Sequence, residues 1–147
     1  MQYIIYIGAD HGGFQLKERL KLMLNQENVV VHDMGNIEYD QNDEYPDFAK
    51  LTAEKVTKGL RARGILISDN GVGMCIAANK TPGIRAFLAD DENIVREAVG
   101  DHNANILCLG QKYLDMKKAE HIVRVFLQSN FNNQVINKRI LKKLAQL

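Results

Sequence analysis

Two glycine-containing segments carry the polar side chains that are best suited to catalysis or ligand binding. The first is Asp10-His11-Gly12-Gly13, which follows a short apolar run. Its glycines allow a tight turn that brings helix N-terminal amides close to the Asp10 carboxylate and the His11 imidazole. Asp10 can accept hydrogen bonds from hydroxyl groups, and His11 can donate one to a phosphate. An aspartate N-cap beside a solvent-facing histidine is the structural alternative.

The second segment runs from Ser68 to Gly73 and precedes an amphipathic stretch. Gly71 and Gly73 flank Val72, and the amides of such a turn can converge on an oxyanion or an enediolate. The structural alternative is a turn between a strand and a helix in which the glycines only relieve backbone strain. Neither segment is a nucleotide motif, because G-x-G-x-x-G is absent and Lys80 comes a full helix too late for a phosphate loop.

Two further polar segments are candidates for a site. Residues 101–105 (DHNAN) place Asp101 and His102 ahead of an apolar run, where His102 is either a surface residue or a functional group. Residues 36–46 form either a mobile flap or a surface loop. At their end, Tyr45 precedes Pro46, which suits the first position of a helix, and Tyr45 either packs or reaches a ligand.

Short apolar runs alternate with amphipathic stretches along the chain, which predicts βαβ units and a doubly wound parallel sheet. The predicted strands are Tyr3–Ala9, Val29–His32, Gly64–Ser68, Ile84–Leu88 and Ile106–Leu109. The predicted helices are Gly13–Asn25, Tyr45–Ala62, Gly73–Lys80, Asp91–Val99, Met116–Gln128 and a last one from about Asn133 onward. Ligands of such sheets bind beyond the carboxyl ends of the strands, so the turns that follow the strands matter most.

Composition narrows the possible functions. The length of 147 residues predicts one domain, 1–147. The net charge of +1 gives no strongly positive electrostatic field of the kind that favours nucleic-acid binding. The longest apolar run, roughly ten residues, is too short to cross a membrane, and no leader pattern precedes the first strand. Cys75 and Cys108 lack the spacing of a disulfide framework or a zinc site, so we expect reduced thiols in the cytoplasm, with Cys108 in the core.

Six stretches of the sequence resemble one family of sugar-phosphate isomerases. They are GADHGGF, YPDFA, GILI, the G-x-G turn before IAANK, PGIRA and NILCLG. The chain is similar, in this order and over nearly its whole length, to type B ribose-5-phosphate isomerase and to the galactose-6-phosphate isomerase subunits. The resemblance implies a Rossmann-like three-layer α/β domain with a five-stranded parallel sheet and helices on both faces.

The resemblance also implies an activity. Members convert an aldose phosphate to a ketose phosphate, most directly ribose 5-phosphate to ribulose 5-phosphate, through ring opening and a cis-enediolate. They need no metal and no cofactor, and they form homodimers or tetramers with active sites at the subunit interface. Carried over by position, the substrate-binding residues are Asp10, His11, Tyr45, Asn70, Gly71, Val72, Gly73, Lys112 and Arg139.

The proton-transferring group departs from the family pattern. Many members have a cysteine where this chain has Ser68, and others have a glutamate where it has Met74. A serine hydroxyl is a poor base unless a neighbour activates it. The loop also differs, because the usual threonine is Asn70 and a usual glycine is Asp69. Ser68 and Asp69 are therefore candidates whose roles the resemblance does not assign.

The ring-opening and phosphate-binding positions also depart from the family pattern. The histidine that assists ring opening aligns with Asp101, and His102 takes the place of an asparagine. One phosphate-binding arginine aligns with Val135, while Lys112 stands where another basic residue, usually arginine, is found. Asp101 and His102 join the catalytic candidates, and the phosphate cradle has fewer arginines than usual.

Three interpretations follow. In the first, the chain is an active isomerase with Asp69 or Asp101 as base and His102 or Asp101 for ring opening. In the second, Cys75 is a displaced thiolate whose pKa falls near a helix N-terminus. In the third, the chain is a catalytically impaired sugar-phosphate-binding homologue, or one subunit of a heteromeric isomerase of the galactose-6-phosphate type.

Overall fold

Five parallel strands form the sheet in the computed structural model, which describes residues 2–147 and leaves Met1 outside the described part. The strands are β1 (Ile4–Ala9), β2 (Val31–Asp33), β3 (Ala62–Ser68), β4 (Ala86–Leu88) and β5 (Ile106–Gly110). Their order across the sheet is β2-β1-β3-β5-β4, and every neighbouring pair is parallel. This arrangement confirms the predicted Rossmann-like parallel sheet.

Helices cover both faces of the sheet. They are α1 (Phe14–Gln26), α2 (Tyr45–Lys58), α3 (Val72–Ala78), α4 (Glu92–His102), α5 (Met116–Gln128) and α6 (Val135–Leu144). Two single 3₁₀ turns, His11–Gly13 and Gln111–Tyr113, follow β1 and β5. None of the helices within residues 2–147 is both long enough and apolar enough to cross a membrane.

Alternate residues of the strands point to two separate apolar layers. Ile7, Ile67 and Leu109 pack with α1, α4 and α5 on one face. Leu66 and Cys108 pack with α2 and α3 on the other face. Cys108 is fully buried, which confirms its predicted place in the core.

The carboxyl ends of three strands lie level in the middle of the sheet. Ala9 at the end of β1 is paired with Ile67 of β3, and Ser68 is paired with Gly110 at the end of β5. The chain leaves β1 toward β2 on one side and resumes at β3 on the other, so β1 and β3 form the topological switch point. Open α/β sheets bind ligands in the crevice at such a point.

Helix α2 ends earlier than the sequence pattern predicts. It stops at Lys58 instead of Ala62, because Gly59 leaves the helical conformation and Ala62 pairs with Ile4 as the first residue of β3. The apolar character of the stretch continues into the strand, so periodicity alone does not mark the boundary. The other boundaries differ by a few residues at most.

Candidate active site

The turns after β1 and β3 touch each other. A Cβ atom placed on Gly12 would lie only 2.8 Å from the amide nitrogen of Asp69, and one on Gly13 would overlap the carbonyl group of Ile67. Both glycines are therefore required by close backbone approach. The two segments that the sequence analysis singled out meet at the switch point of the sheet.

Tyr45 closes a third side of this corner. It is the first residue of α2, and its ring lies over the backbone of Gly73, where an added Cβ would come within 2.5 Å of the Tyr45 Cζ atom. Pro46 follows it at the start of the helix, as expected from the fixed φ of proline. The Tyr45 side chain remains partly exposed, so it both packs on the turn and faces the solvent side of the corner.

The amides of the second turn bond differently from the sequence-based expectation. The N–H of Gly71 donates to Ser68 Oγ over 2.9 Å, and the N–H of Val72 donates to Asn70 Oδ1 over 2.9 Å. These side chains satisfy two of the amides predicted to converge on an anion, because short polar side chains readily bond to backbone two or three residues on. Ser68 is buried and Asn70 is exposed, and both hold the shape of the turn.

Asp69 and Lys112 form an exposed ion pair at the edge of the corner. Lys112 Nζ lies 3.3 Å from Asp69 Oδ2, and the Lys112 amide donates to the Asp69 carbonyl oxygen over 3.1 Å. The hydrogen bond and charge of Asp69 raise the pKa of Lys112 above its ordinary value. The turn after β5 therefore brings a cation next to the turn after β3.

Asp10 is a buried carboxylate. Its Oδ1 accepts a hydrogen bond of 3.0 Å from the Gly12 amide and caps the 3₁₀ turn. Burial raises the pKa of Asp10, the nearby charge of His11 lowers it and that of Asp43 raises it, so that the pKa ends above its ordinary value. Such a perturbed carboxyl at a switch point is typical of a functional site.

His11 has a partner that the sequence analysis did not identify. Its Nδ1 lies 2.7 Å from Asp43 Oδ1, and its backbone amide donates to the same oxygen over 2.9 Å. The hydrogen bond to Asp43 raises the pKa of His11. The side chains of Asp10, His11 and Asp43 offer one nitrogen and two oxygens within 4.8 Å of one another, a spacing that the imidazole–carboxylate hydrogen bond already explains.

Asp101, His102 and Arg139 lie elsewhere in the same chain. Helix α4 runs back from the carboxyl end of the sheet, and Asn105, just after it, bonds to Gly64 and Arg85 near the starts of β3 and β4. Asp101 accepts a hydrogen bond of 2.8 Å from Asn132, ahead of α6, and all three predicted site residues are exposed. The sheet thus separates them from the Asp10–Gly73 corner within one chain.

Comparison with known proteins decides the family. Residues 5–144 match the family model described as ribose/galactose isomerase. The chain belongs to this family. The assignment confirms both the resemblance seen in the motifs and the prediction of an isomerase.

Relatives cover nearly the whole ribose/galactose isomerase chain. A probable ribose-5-phosphate isomerase B of Mycoplasma pneumoniae is 39% identical over 99% of this chain and 95% of its own length. A D-erythrulose-4-phosphate isomerase 2 of Mycolicibacterium smegmatis is 39% identical over 88% of this chain and 87% of its own length. A crystal structure of ribose-5-phosphate isomerase B from Mycoplasma genitalium with bound ribulose-5-phosphate superposes with a TM-score of 0.93, at 37% identity, over 99% of this chain and 96% of that one.

The ribose/galactose isomerase fold places a cavity of about 210 Å³ beside the corner. Asn70 and Val72 line it on one side, and Asp90, Tyr113 and Leu114 line it on the other. The cavity lies between the turns after β3, β4 and β5, which are the places where the sequence predicts ligand-binding residues. Its lining is mainly apolar with a few polar groups, a composition common to small-molecule sites.

Cys75, which one interpretation of the sequence made a displaced thiolate, lies in α3 and is partly buried. The neighbouring thiol of Cys108 lowers the pKa of Cys75 to about 7, against the opposing effect of burial. The expected direction of the pKa change is therefore found, but its cause is the neighbouring thiol. Cys75 Sγ lies 3.6 Å from the carbonyl oxygen of Ala86 in β4, so the thiol faces the edge of the sheet, away from β1.

Proposed function

We propose that this chain interconverts ribose 5-phosphate and ribulose 5-phosphate through ring opening and a cis-enediolate. One observation carries the proposal: the turns after β1 and β3 meet at the switch point, with Tyr45 over Gly73. Asp10, His11 and Tyr45 there offer hydroxyl- and phosphate-binding groups at one corner. The ribulose-5-phosphate bound to the related Mycoplasma genitalium enzyme supports a pentose phosphate as ligand.

Each group at the corner has a role in holding the sugar phosphate. Asp10 accepts hydrogen bonds from sugar hydroxyls, and His11 donates to hydroxyl or phosphate oxygen. Tyr45 lines the pocket, and the backbone at Asn70, Gly71, Val72 and Gly73 borders the reacting carbons. Lys112 and Arg139 supply positive charge for the phosphate.

The reaction itself is a proton transfer between neighbouring carbons. After the ring opens, a base removes the proton from C2. The electron pair of the broken C2–H bond forms the C1–C2 double bond of the enediolate. The same base returns the proton to C1, and the proton on O2 passes to O1, so that C1 carries a hydroxyl group and C2 becomes the ketone. We assign these steps to Ser68, Asp69, Asp101 and His102, with Asp69 or Asp101 as base and Asp101 or His102 in ring opening.

A second copy of the chain completes the site in this proposal. Asp101, His102 and Arg139 lie away from the corner of their own chain, so they serve the corner of a neighbouring subunit in a homodimer or tetramer. Helix α6 carries Val135, Ile136, Ile140 and Leu144 with large exposed fractions, an apolar surface suited to association. Residues 1–147 act as one isomerase domain, in the cytoplasm.

The function is tested by adding ribose 5-phosphate to the purified chain and following ribulose 5-phosphate formation. Turnover by the single chain supports the proposal. If the chain turns over D-erythrulose 4-phosphate but not ribose 5-phosphate, the proposed substrate is wrong and the proposed isomerisation is kept. Stabilisation by ribose 5-phosphate without turnover favours the impaired homologue, and activity only after addition of a second, related chain favours a heteromeric subunit.

The first predicted effect concerns the base. Asp69→Asn or Asp101→Asn, whichever removes the base, lowers kcat by about 100-fold or more, the scale of lost acid–base catalysis. Steady-state kinetics with ribose 5-phosphate measure the loss. Glu97→Gln is the matched control, because it removes one exposed carboxylate from α4, one turn before Asp101. Full activity in both aspartate variants excludes both assignments.

The second predicted effect concerns the shared site. His11→Asn and Arg139→Ala are each expected to be poorly active alone, because each removes one ligand contact from every site. After unfolding and refolding together, mixed dimers contain one intact site, and activity returns to about a quarter of the wild-type value if subunits pair at random. A mixture no more active than its components contradicts a site built from two chains.

A further inference from the structure

Asp43 holds His11 by two hydrogen bonds to one oxygen atom. Asp43 Oδ1 accepts from the His11 backbone amide over 2.9 Å and lies 2.7 Å from Nδ1 of the ring. A carboxylate can only accept, so Nδ1 carries the proton in this contact. The Asp43 side chain is 6% exposed and the His11 side chain is 40% exposed, so the aspartate is fixed while the ring faces outward.

We propose that Asp43 is the positioning residue of His11: it fixes the ring with Nδ1–H bound and leaves Nε2 for the phosphate or a hydroxyl of the ligand. The identity of that ligand rests on the proposed function. The pairing of Asp43 with His11 does not. In this scheme Asp43 never touches the sugar phosphate, and its effect on binding passes entirely through the imidazole.

The loop that carries Asp43 is fastened to the sheet, so the pairing is a built feature. The amide of Asn36 donates to the Ala9 carbonyl over 2.9 Å, and the Ala9 amide donates to the Gly35 carbonyl over 2.8 Å. Asn36 Nδ2 lies 3.4 Å from Asp43 Oδ2, and the buried Lys17 ammonium donates to the Asn36 carbonyl over 2.6 Å. These hydrogen bonds hold the start of the loop against the end of β1, so the loop that carries Asp43 has a fixed position next to His11.

The charges around His11 favour its protonated form. Asp43 and Asp10 both raise the pKa of the imidazole, chiefly through the Asp43 hydrogen bond, while burial lowers it. Asp69, on the adjoining turn, is paired with Lys112. A raised pKa keeps the imidazolium to higher pH, and the cation is lost as pH rises through that value. Removing the Asp43 charge should therefore lower the pH at which phosphate binding begins to weaken.

A histidine titration tests the pairing without any substrate. Imidazole NMR of the full chain follows His11 beside His32, His102 and His121, three internal references in a chain with four histidines. In Asp43→Asn and Asp43→Ala the pKa of His11 should fall while the references stay unchanged. Glu44→Gln, an exposed neighbour that makes no side-chain cap bond, should leave His11 as it is. An unchanged His11 pKa in both Asp43 variants overturns the proposal.

Kinetics test whether the effect passes through His11. Asp43→Ala should raise KM for ribose 5-phosphate by about 10- to 100-fold, the scale of a lost charged hydrogen bond, with a smaller change in kcat. In a His11→Asn background the same substitution should change KM little, whereas an equal second loss would overturn the proposal. If the wild-type chain does not turn over ribose 5-phosphate, the proposed function fails, and the titration still decides the role of Asp43.

Discussion

Lys17→Met lowers the free energy of unfolding by about 3–5 kcal/mol, the usual cost of removing one partner from a buried ion pair. The Lys17 side chain is fully buried in α1. Its ammonium donates to both oxygens of Asp33, over 2.8 and 2.7 Å, and to the Asn36 carbonyl over 2.6 Å. Methionine fills similar space without a donor, so the Asn36 carbonyl and both Asp33 oxygens lose the buried ammonium, although Asp33 keeps Lys21 and the Gly35 amide. Urea unfolding measures the loss.

Lys21→Met is the matched control. Lys21 lies one turn further along α1 and also donates to Asp33, over 2.6 Å, but its side chain is 25% exposed. Solvent can replace a lysine at such a site, so the control should lose about 1 kcal/mol or less. Equal losses in the two variants contradict the larger contribution to stability assigned here to the buried ammonium of Lys17.

The loss from Lys17→Met also depends on pH. Burial raises the pKa of Asp33, but the hydrogen bonds from Lys17, Lys21 and the Gly35 amide lower it by more than burial raises it. The pKa of Asp33 therefore ends below its usual value of 3.8. A carboxyl with a lowered native pKa contributes stability above that usual value, and this contribution disappears as pH falls through the native pKa. The difference between wild type and Lys17→Met should therefore narrow when unfolding is measured at pH 3 instead of pH 7.

Gly13→Ala destabilises the protein by at least about 3 kcal/mol, above the common range for overpacking. The added Cβ would overlap the Ile67 carbonyl group and lie 2.7 Å from Ile67 Cγ2. Ile67 is paired with Ala9 on one side and Leu109 on the other, so β3 has little room to yield. The substitution also forces the two turns apart, so activity should fall with stability. Thermal unfolding and the isomerase assay measure the two effects.

Gly100→Ala is the control for Gly13→Ala. Gly100 lies inside α4, and a Cβ placed on it has no other heavy atom within 4 Å beyond its own helix neighbours. Alanine in a helix interior should raise the free energy of unfolding by about 0.5–1 kcal/mol, because the unfolded chain loses freedom. A destabilised Gly100→Ala, or an unaffected Gly13→Ala, contradicts the close-approach explanation.

The active-site residues differ in how far sequence could place them. The turns at Asp10 and Ser68 follow buried strands, and parallel strands end at one edge of the sheet, so their proximity could be predicted. Asp43 is 32 residues from His11 in a polar loop, and no spacing rule connects a loop carboxylate to a ring across that distance. The separation of Asp101 from the corner follows from the direction of α4, which motif matching does not describe.

Local pattern determined the alternation of strands and helices, the glycine turns after β1 and β3, and the family resemblance, because apolar periodicity and turn chemistry act over a few residues. Tertiary structure decided the end of α2, the burial of Lys17 and the contacts Asp43–His11 and Cys75–Cys108. These features depend on which side chains from distant segments share a low-dielectric space, and that is settled only when the sheet and its two helical layers are packed.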